Sequence, residues 1–167
     1  MVFDELWEKS YFFPSNCVME LQDILKREGG IGLAEQGVRI LSLDDLERKN
    51  KPGAPLETVD MSIAVKDRDS QKNARFLLCE FKFRQKNVGN LKKKDLEDKV
   101  LHSRSLLDGN SIDNKVYFLF SKEQYQRARS LFERNFYSSG RCKGLRIVQT
   151  EKSFVEIGEH EESGVIL

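Results

Sequence analysis

Three side chains in this sequence stand at spacings that chemistry can use. "TVDMS" places Asp60 in an alternating stretch, and "FLLCEFKFR", residues 76–84, carries Glu80 and Lys82 two places apart. In an extended strand a spacing of two puts both side chains on one face. Charges inside an otherwise apolar strand are costly to bury unless something pairs with them. If the two stretches pair as a hairpin, Asp60 comes to lie near Glu80 on one side of the sheet. Two carboxylates that close repel, which raises one pKa unless a cation neutralises them. Mg²⁺ suits such a pair because it favours oxygen ligands and keeps several waters, with Mn²⁺ as the alternative. A bound ion of this kind lowers the pKa of a water, making it a nucleophile, and shields charge building up on a phosphodiester. Lys82, one pleat beyond Glu80, is then placed to position that water or to stabilise the phosphate. The competing reading of Glu80 and Lys82 is an ion-pair network at a sheet edge.

The elements that must carry these residues follow from periodicity. "TVDMSIAVKD" alternates, with Val59, Met61, Ile63 and Val65 on one face and Asp60, Ser62 and Ala64 on the other, which predicts a strand. After the polar connection "RDSQKN", "ARFLLCEFKFR" is the second strand of the hairpin. Upstream, "PSNCVMELQDILKREGG" predicts a helix capped by Ser15 or Asn16. Its apolar stripe is Cys17, Val18, Leu21, Ile24 and Leu25, and Gly29 and Gly30 end it. "GVRILSLDDLE" predicts a strand and "KNKPGAPLE" a loop. Downstream, residues 91–107 form a helix with Leu96, Val100, Ser103 and Leu107 along one face. "KVYFLFS" is almost wholly apolar, as befits a strand covered on both faces. "KEQYQRARSLFERNF" is a helix, "LRIVQT" a strand, and "SFVEI" a weaker one. Residues 3–13 form a short helix or an aromatic arm with Phe3, Trp7, Tyr11, Phe12 and Phe13, better suited to core packing than to stacking on bases. The order is helix, three strands, helix, strand, helix, strand: one mixed α/β domain with helices on both faces of a central sheet.

Bulk properties agree with a single globular domain. The chain has 167 residues, 39% hydrophobic and 33% charged. That is long enough for a core without disulfides and unlike a disordered composition. No apolar run approaches a membrane span, and the acidic N-terminus does not read as a signal peptide. Cys17, Cys79 and Cys142 are three in number and lack CxxC spacing, so they are expected to be structural thiols of a cytoplasmic protein. The net charge of +1 conceals a gradient. Residues 1–60 carry 7 basic and 12 acidic side chains, residues 61–150 carry 20 and 10, and residues 151–167 carry 1 and 5. A positive middle between negative ends either attracts phosphates or is a solvated surface of mixed sign.

An acidic residue on one strand, a short connection, then Glu-x-Lys on the next apolar strand resembles the PD-(D/E)XK nuclease superfamily, carried here by Asp60 in "TVDMS" and by Glu80 and Lys82 in "CEFKF". The resemblance covers roughly residues 15–121, and the element order is similar to that superfamily's αβββαβ core. It implies a restriction-endonuclease-like fold for the domain, with a C-terminal helix and strands over residues 122–167. It also implies catalysis by Asp60, Glu80 and Lys82, with Mg²⁺ or Mn²⁺ on Asp60 and Glu80. Many members add a glutamate from the first core helix. Glu20, about 40° from Ile24 at about 100° per residue, is the best match, and Glu35 is a weaker one. Val59 stands where a proline precedes the motif aspartate, and the next helix opens "KKKDLEDK" rather than with the Gln-x-x-x-Tyr of the RecB-like branch.

Directly after the motif, "RQKNVGNLKKKD" is a basic loop in which Arg84, Lys86, Lys92, Lys93 and Lys94, with Lys99 beyond, are candidates for gripping a phosphate backbone. Otherwise it is an ordinary solvated loop. Arg127, Arg129 and Arg134 read as the outer face of a helix. His102 and His160 have no metal-ligand spacing, and neither a P-loop nor a nucleophile elbow occurs. The leading expectation is therefore a metal-dependent nuclease acting on DNA in preference to RNA, with a homodimer or a protein partner as further expectations. The alternative is a catalytically silent nuclease fold that binds nucleic acid or a protein.

Overall fold

The computed structural model describes residues 13–30, 37–67, 75–108, 110–135, 145–149 and 164–166. In chain order, a 3₁₀ turn at Ser15–Cys17 leads into β1 (Val18–Glu20) and α1 (Leu21–Glu28). Next come β2 (Arg39–Ser42), α2 (Leu43–Asn50), β3 (Met61–Asp67) and β4 (Arg75–Lys82). A second 3₁₀ turn at Val88–Asn90 precedes α3 (Lys93–Leu106), β5 (Ile112–Phe120) and α4 (Lys122–Asn135). The chain then adds β6 (Leu145–Gln149) and β7 (Gly164–Ile166). The strands form one sheet in the order β1-β2-β3-β4-β5-β6, and β7 pairs with β3. Neighbours from β1 to β4 are antiparallel, while β5 runs parallel to both β4 and β6. Parallel neighbours need a crossover, and α3 and α4 supply the two.

Period-two alternation divides the strands between two cores. On one face Leu21, Ile24 and Leu25 of α1 pack on Ile40, Met61, Ile63, Leu77 and Cys79. On the other, Leu43 and Leu46 of α2, Leu96 of α3 and Phe132 of α4 pack on Leu41, Ala64, Leu78 and Phe118. Residues 116–120 of β5 are buried on both faces, so their apolar run has no polar interruption. The expected mixed α/β sheet with helices on both faces is the architecture observed, and the face of α3 marked by Leu96 and Ser103 is buried.

Two local expectations need correction. The helix expected from Ser15 begins only at Leu21, because Val18–Glu20 pair with Arg39–Leu41 as an edge strand. "LSLDDLE" is not a continuous strand: Ser42 accepts from the Asp45 N–H through Oγ at 3.3 Å, capping α2 and ending β2. The aromatic segment before Phe13, the hairpin connection, Glu35, Cys142, His160 and "SFVEI" lie outside the described residues.

Candidate active site

The register of β3 and β4 builds the site. Met61 lies opposite Cys79 and Ser62 opposite Leu78, so the antiparallel step beyond brings Asp60 level with Glu80. Both residues fall on the face shared by Ala64 and Leu78, toward α2 and α3. Asp60 is held by its own strand junction. Its Oδ2 accepts the Phe81 N–H at 2.5 Å, and its carbonyl accepts the Leu43 N–H at 3.2 Å. Glu80 is 1% exposed, on a strand flanked by β3 and β5 rather than at a sheet edge. Two ammonium groups converge on its Oε1: Lys82 Nζ, from the same strand, and Lys99 Nζ, from α3, at 3.1 Å. Lys99 also reaches Glu57 at 3.8 Å.

The electrostatics follow from burial. Desolvation pushes the Asp60 carboxyl up to about 8, and the negative charge of Glu80 adds to the rise. The Phe81 N–H pulls the other way, and Glu28 and Asp44 push it further up. For Lys99 burial lowers the pKa, but Glu80, Asp60 and Glu57 together hold it above the ordinary lysine value. Glu80 Oε2 is buried without a hydrogen-bond partner. Each carboxylate therefore commits one oxygen to the protein, Asp60 Oδ2 to Phe81 and Glu80 Oε1 to the lysines, and carries one that is not so bound. A repelling carboxylate pair with an orphaned buried oxygen fits a hard divalent cation that keeps most of its waters. It does not amount to an all-protein cage. Among the described residues no group of three or more His, Cys, Asp or Glu side chains is placed to hold a metal.

The surroundings are stitched together by buried polar groups. Ser103 Oγ accepts the Val59 N–H and donates to the Lys99 carbonyl, both at 2.8 Å. Glu47 of α2 accepts the Leu56 N–H at 3.0 Å and faces His102 Nε2 at 3.0 Å. Neither atom has another hydrogen-bond partner. Glu47 sits below the usual carboxylate range: burial pushes it up, but Leu56, His102 and Lys51 outweigh that. Lys99 and His102 also line an open cleft of about 380 Å³ with Leu56, Glu57, Asp95 and Asp98.

Asp60, Glu80 and Lys82 are thus brought together as their spacing predicted. Lys99, expected to touch phosphate, instead joins them by bonding Glu80. Glu20 does not join. It ends β1, its carboxylate accepts the Gly37 N–H at 3.2 Å, and the strand registers put it roughly 13 Å along the sheet from Asp60 and two strands away. The glutamate on α1 whose charge reaches Asp60 is Glu28. It completes the i, i+3, i+4, i+7 series Leu21, Ile24, Leu25, Glu28, and that position on the buried stripe was the available signal. Of the basic loop, Arg84 donates to the Arg27 carbonyl at 2.7 Å and lies against Gly29, where φ is +89° and a Cβ would come within 2.8 Å of Arg84 Nε. Lys86, Lys92 and Lys94 are exposed, and Lys93 is half-buried at the start of α3. No helix among the described residues is long and apolar enough to cross a membrane. In comparisons with known proteins, no family model, no curated protein and no solved structure matches this chain.

Proposed function

We propose that this chain is a metal-dependent nuclease of the PD-(D/E)XK kind, hydrolysing phosphodiester bonds in DNA in preference to RNA. The observation that carries the reading is the buried Asp60–Glu80 pair, with Glu80 Oε2 unpartnered and two lysines on the opposite oxygen. Asp60 and Glu80 would hold Mg²⁺ or Mn²⁺ through their uncommitted oxygens. When bound, the ion supplies a water of lowered pKa and offsets the charge that grows on the phosphate. Lys82 turns its ammonium from Glu80 toward the attacking water and fixes its lone pair on phosphorus. The water oxygen adds to phosphorus, the opposite P–O bond breaks, and the leaving oxygen takes up a proton while the attacking water loses one to solvent. Lys86, Lys92, Lys93 and Lys94, beside the C-terminal end of β4, contact the phosphate backbone, with Arg84 at their inner end.

The test is a cleavage assay in Mg²⁺ and then Mn²⁺ on single-stranded, duplex, flapped and branched DNA and on RNA. Wild type is run beside Lys82→Ala and Glu80→Gln. Cleavage that both substitutions abolish supports the assignment, and full activity in Glu80→Gln refutes it. Two observations favour a second reading, a silent nuclease fold used for binding. Among the described residues the site has no third metal-donor side chain, and the cleft beside Lys99 is walled by Glu57, Asp95 and Asp98, which repel phosphates. A chain of that kind shows no Mn²⁺ affinity that depends on Asp60 and Glu80.

A further inference from the structure

Two cations on one carboxylate oxygen is more than Glu80 needs. Its side chain is 1% exposed, and a carboxylate without water requires a partner at all times. Lys82 and Lys99 both meet that need through Oε1, yet they are held very differently.

Lys82 is the last residue of β4, and Glu80 is the one hydrogen-bond partner of its ammonium among the described residues. Beyond it the strand gives way to a turn, in which Gln85 N–H donates to the Lys82 carbonyl at 3.2 Å. Lys99 lies inside the 14-residue helix α3 and contacts Glu57 as well as Glu80. Its own carbonyl is bonded by Ser103 Oγ, which also takes the Val59 N–H one residue before Asp60. One turn on, His102 meets Glu47, which is itself tied to the Leu56 N–H. The helix that carries Lys99 is therefore clamped at two points to the segment that delivers Asp60. Nor does the far side of Lys99 offer phosphate a place, because the cleft there is lined by Glu57, Asp95 and Asp98.

On the nuclease reading, we infer that Lys99 is a positioning residue: it is the standing counter-ion of Glu80, and its presence leaves Lys82 free to depart from that carboxylate and orient the attacking water. Without Lys99, Lys82 is the sole ammonium on Glu80 Oε1 and is retained there. Lys99 thus acts on the reaction through Lys82 and touches neither water nor phosphate.

The experiment pairs single-turnover cleavage in Mn²⁺ with thermal melting in metal-free buffer. The proteins are wild type, Lys82→Met, Lys99→Met, the double variant, and Lys99→Met combined with Glu80→Gln. Lys82→Met is expected to slow cleavage about 10³-fold and Lys99→Met about 10- to 100-fold, with the DNA affinity and its salt dependence unchanged in Lys99→Met. The double variant should be no slower than Lys82→Met alone, because the two residues act in series. In the melts Lys99→Met should lower Tm by about 3–8 °C, Lys82→Met by less, and Glu80→Gln should restore the Lys99→Met protein. Multiplying rate losses in the double variant overturn the inference, as does a Lys99→Met protein whose only defect is weaker, less salt-dependent DNA binding. A larger Tm loss from Lys82→Met than from Lys99→Met reverses the assigned roles. If wild type cleaves none of the nucleic acids, the nuclease reading falls and takes this inference with it. If wild type cleaves and the variants multiply, only the inference falls.

Discussion

Asp60 is the residue in which burial, charge and chemistry meet. Its folded pKa is raised from 3.8 to about 8, so between those values the folded chain binds a proton that the unfolded chain has lost. The stability linked to that proton is complete below about pH 4 and is lost as pH rises through about 8. Asp60→Asn mimics the protonated side chain and keeps an acceptor for the Phe81 N–H. It should flatten the decline of stability between pH 5 and pH 8.5 and leave the variant more stable at the upper end by about 3 kcal/mol. Urea titrations across that range check this, and parallel curves for the two proteins would contradict it. The same proton must leave when a cation binds between Asp60 and Glu80. Mn²⁺ titrations in buffers of different ionisation heat should therefore release close to one proton at pH 7 and almost none by pH 9. Release that does not vary with pH would place the metal elsewhere. The carboxylate pair itself was legible in sequence, since a period of two and a hairpin are enough to align Asp60 with Glu80. The partnership of Lys99 was not, because the rotation of a helix about its axis is set by packing, here by Leu96 and Ser103 against the sheet.

At the scale of elements, local signals competed with tertiary pairing and sometimes lost. Ser15 and Asn16 are good caps before an apolar series, yet pairing with β2 draws Val18–Glu20 into a strand and delays α1 to Leu21. That shift by six residues is what removes Glu20 from the helix and leaves Glu28 as its one glutamate, whose charge reaches Asp60. The start of α2 lay in plain sight: Ser42 with Asp44 and Asp45 after it is a capping sequence, masked by the apolar run "RILSL" that precedes and overlaps it. The strands β1 and β7, three residues each, are too short for any periodicity to declare. Besides Lys99 itself, α3 is tied to the Asp60 segment through Ser103, fully buried and bonded to both Val59 and Lys99. Ser103→Ala leaves the Val59 N–H without a partner in the core, at a cost of about 1–3 kcal/mol. The loss should be visible in chemical denaturation, and hydrogen exchange should accelerate at Val59 ahead of the distant strand β5. Unchanged protection at Val59 would mean that the clamp between α3 and the Asp60 segment does not hold that amide.

Across the whole molecule, the division of charge takes on meaning once the chain is folded. Most of the excess of 20 basic over 10 acidic side chains in residues 61–150 falls on β4, the basic loop, α3 and α4, while the carboxylates of residues 1–60 include Glu57, beside the cleft. On the nuclease reading, a nucleic acid would approach from the lysine side, past Lys86, Lys92 and Lys94, since Glu57, Asp95 and Asp98 oppose it from the other. Each phosphate neutralised by a lysine releases condensed counterions, so the dependence of affinity on salt reports how many lysines touch the backbone. Lys92→Ala with Lys94→Ala should weaken duplex binding at low salt. The same change should reduce the slope of log K against log salt by about 1.8 for duplex DNA, or about 1.4 for a single strand. The affinity for Mn²⁺ should stay as in wild type, because neither lysine contacts Asp60 or Glu80. A slope that does not move would show that the positive middle of the sequence is a solvated surface. Movement of both the slope and the Mn²⁺ affinity would mean that the start of α3 and the carboxylate pair are mechanically one unit.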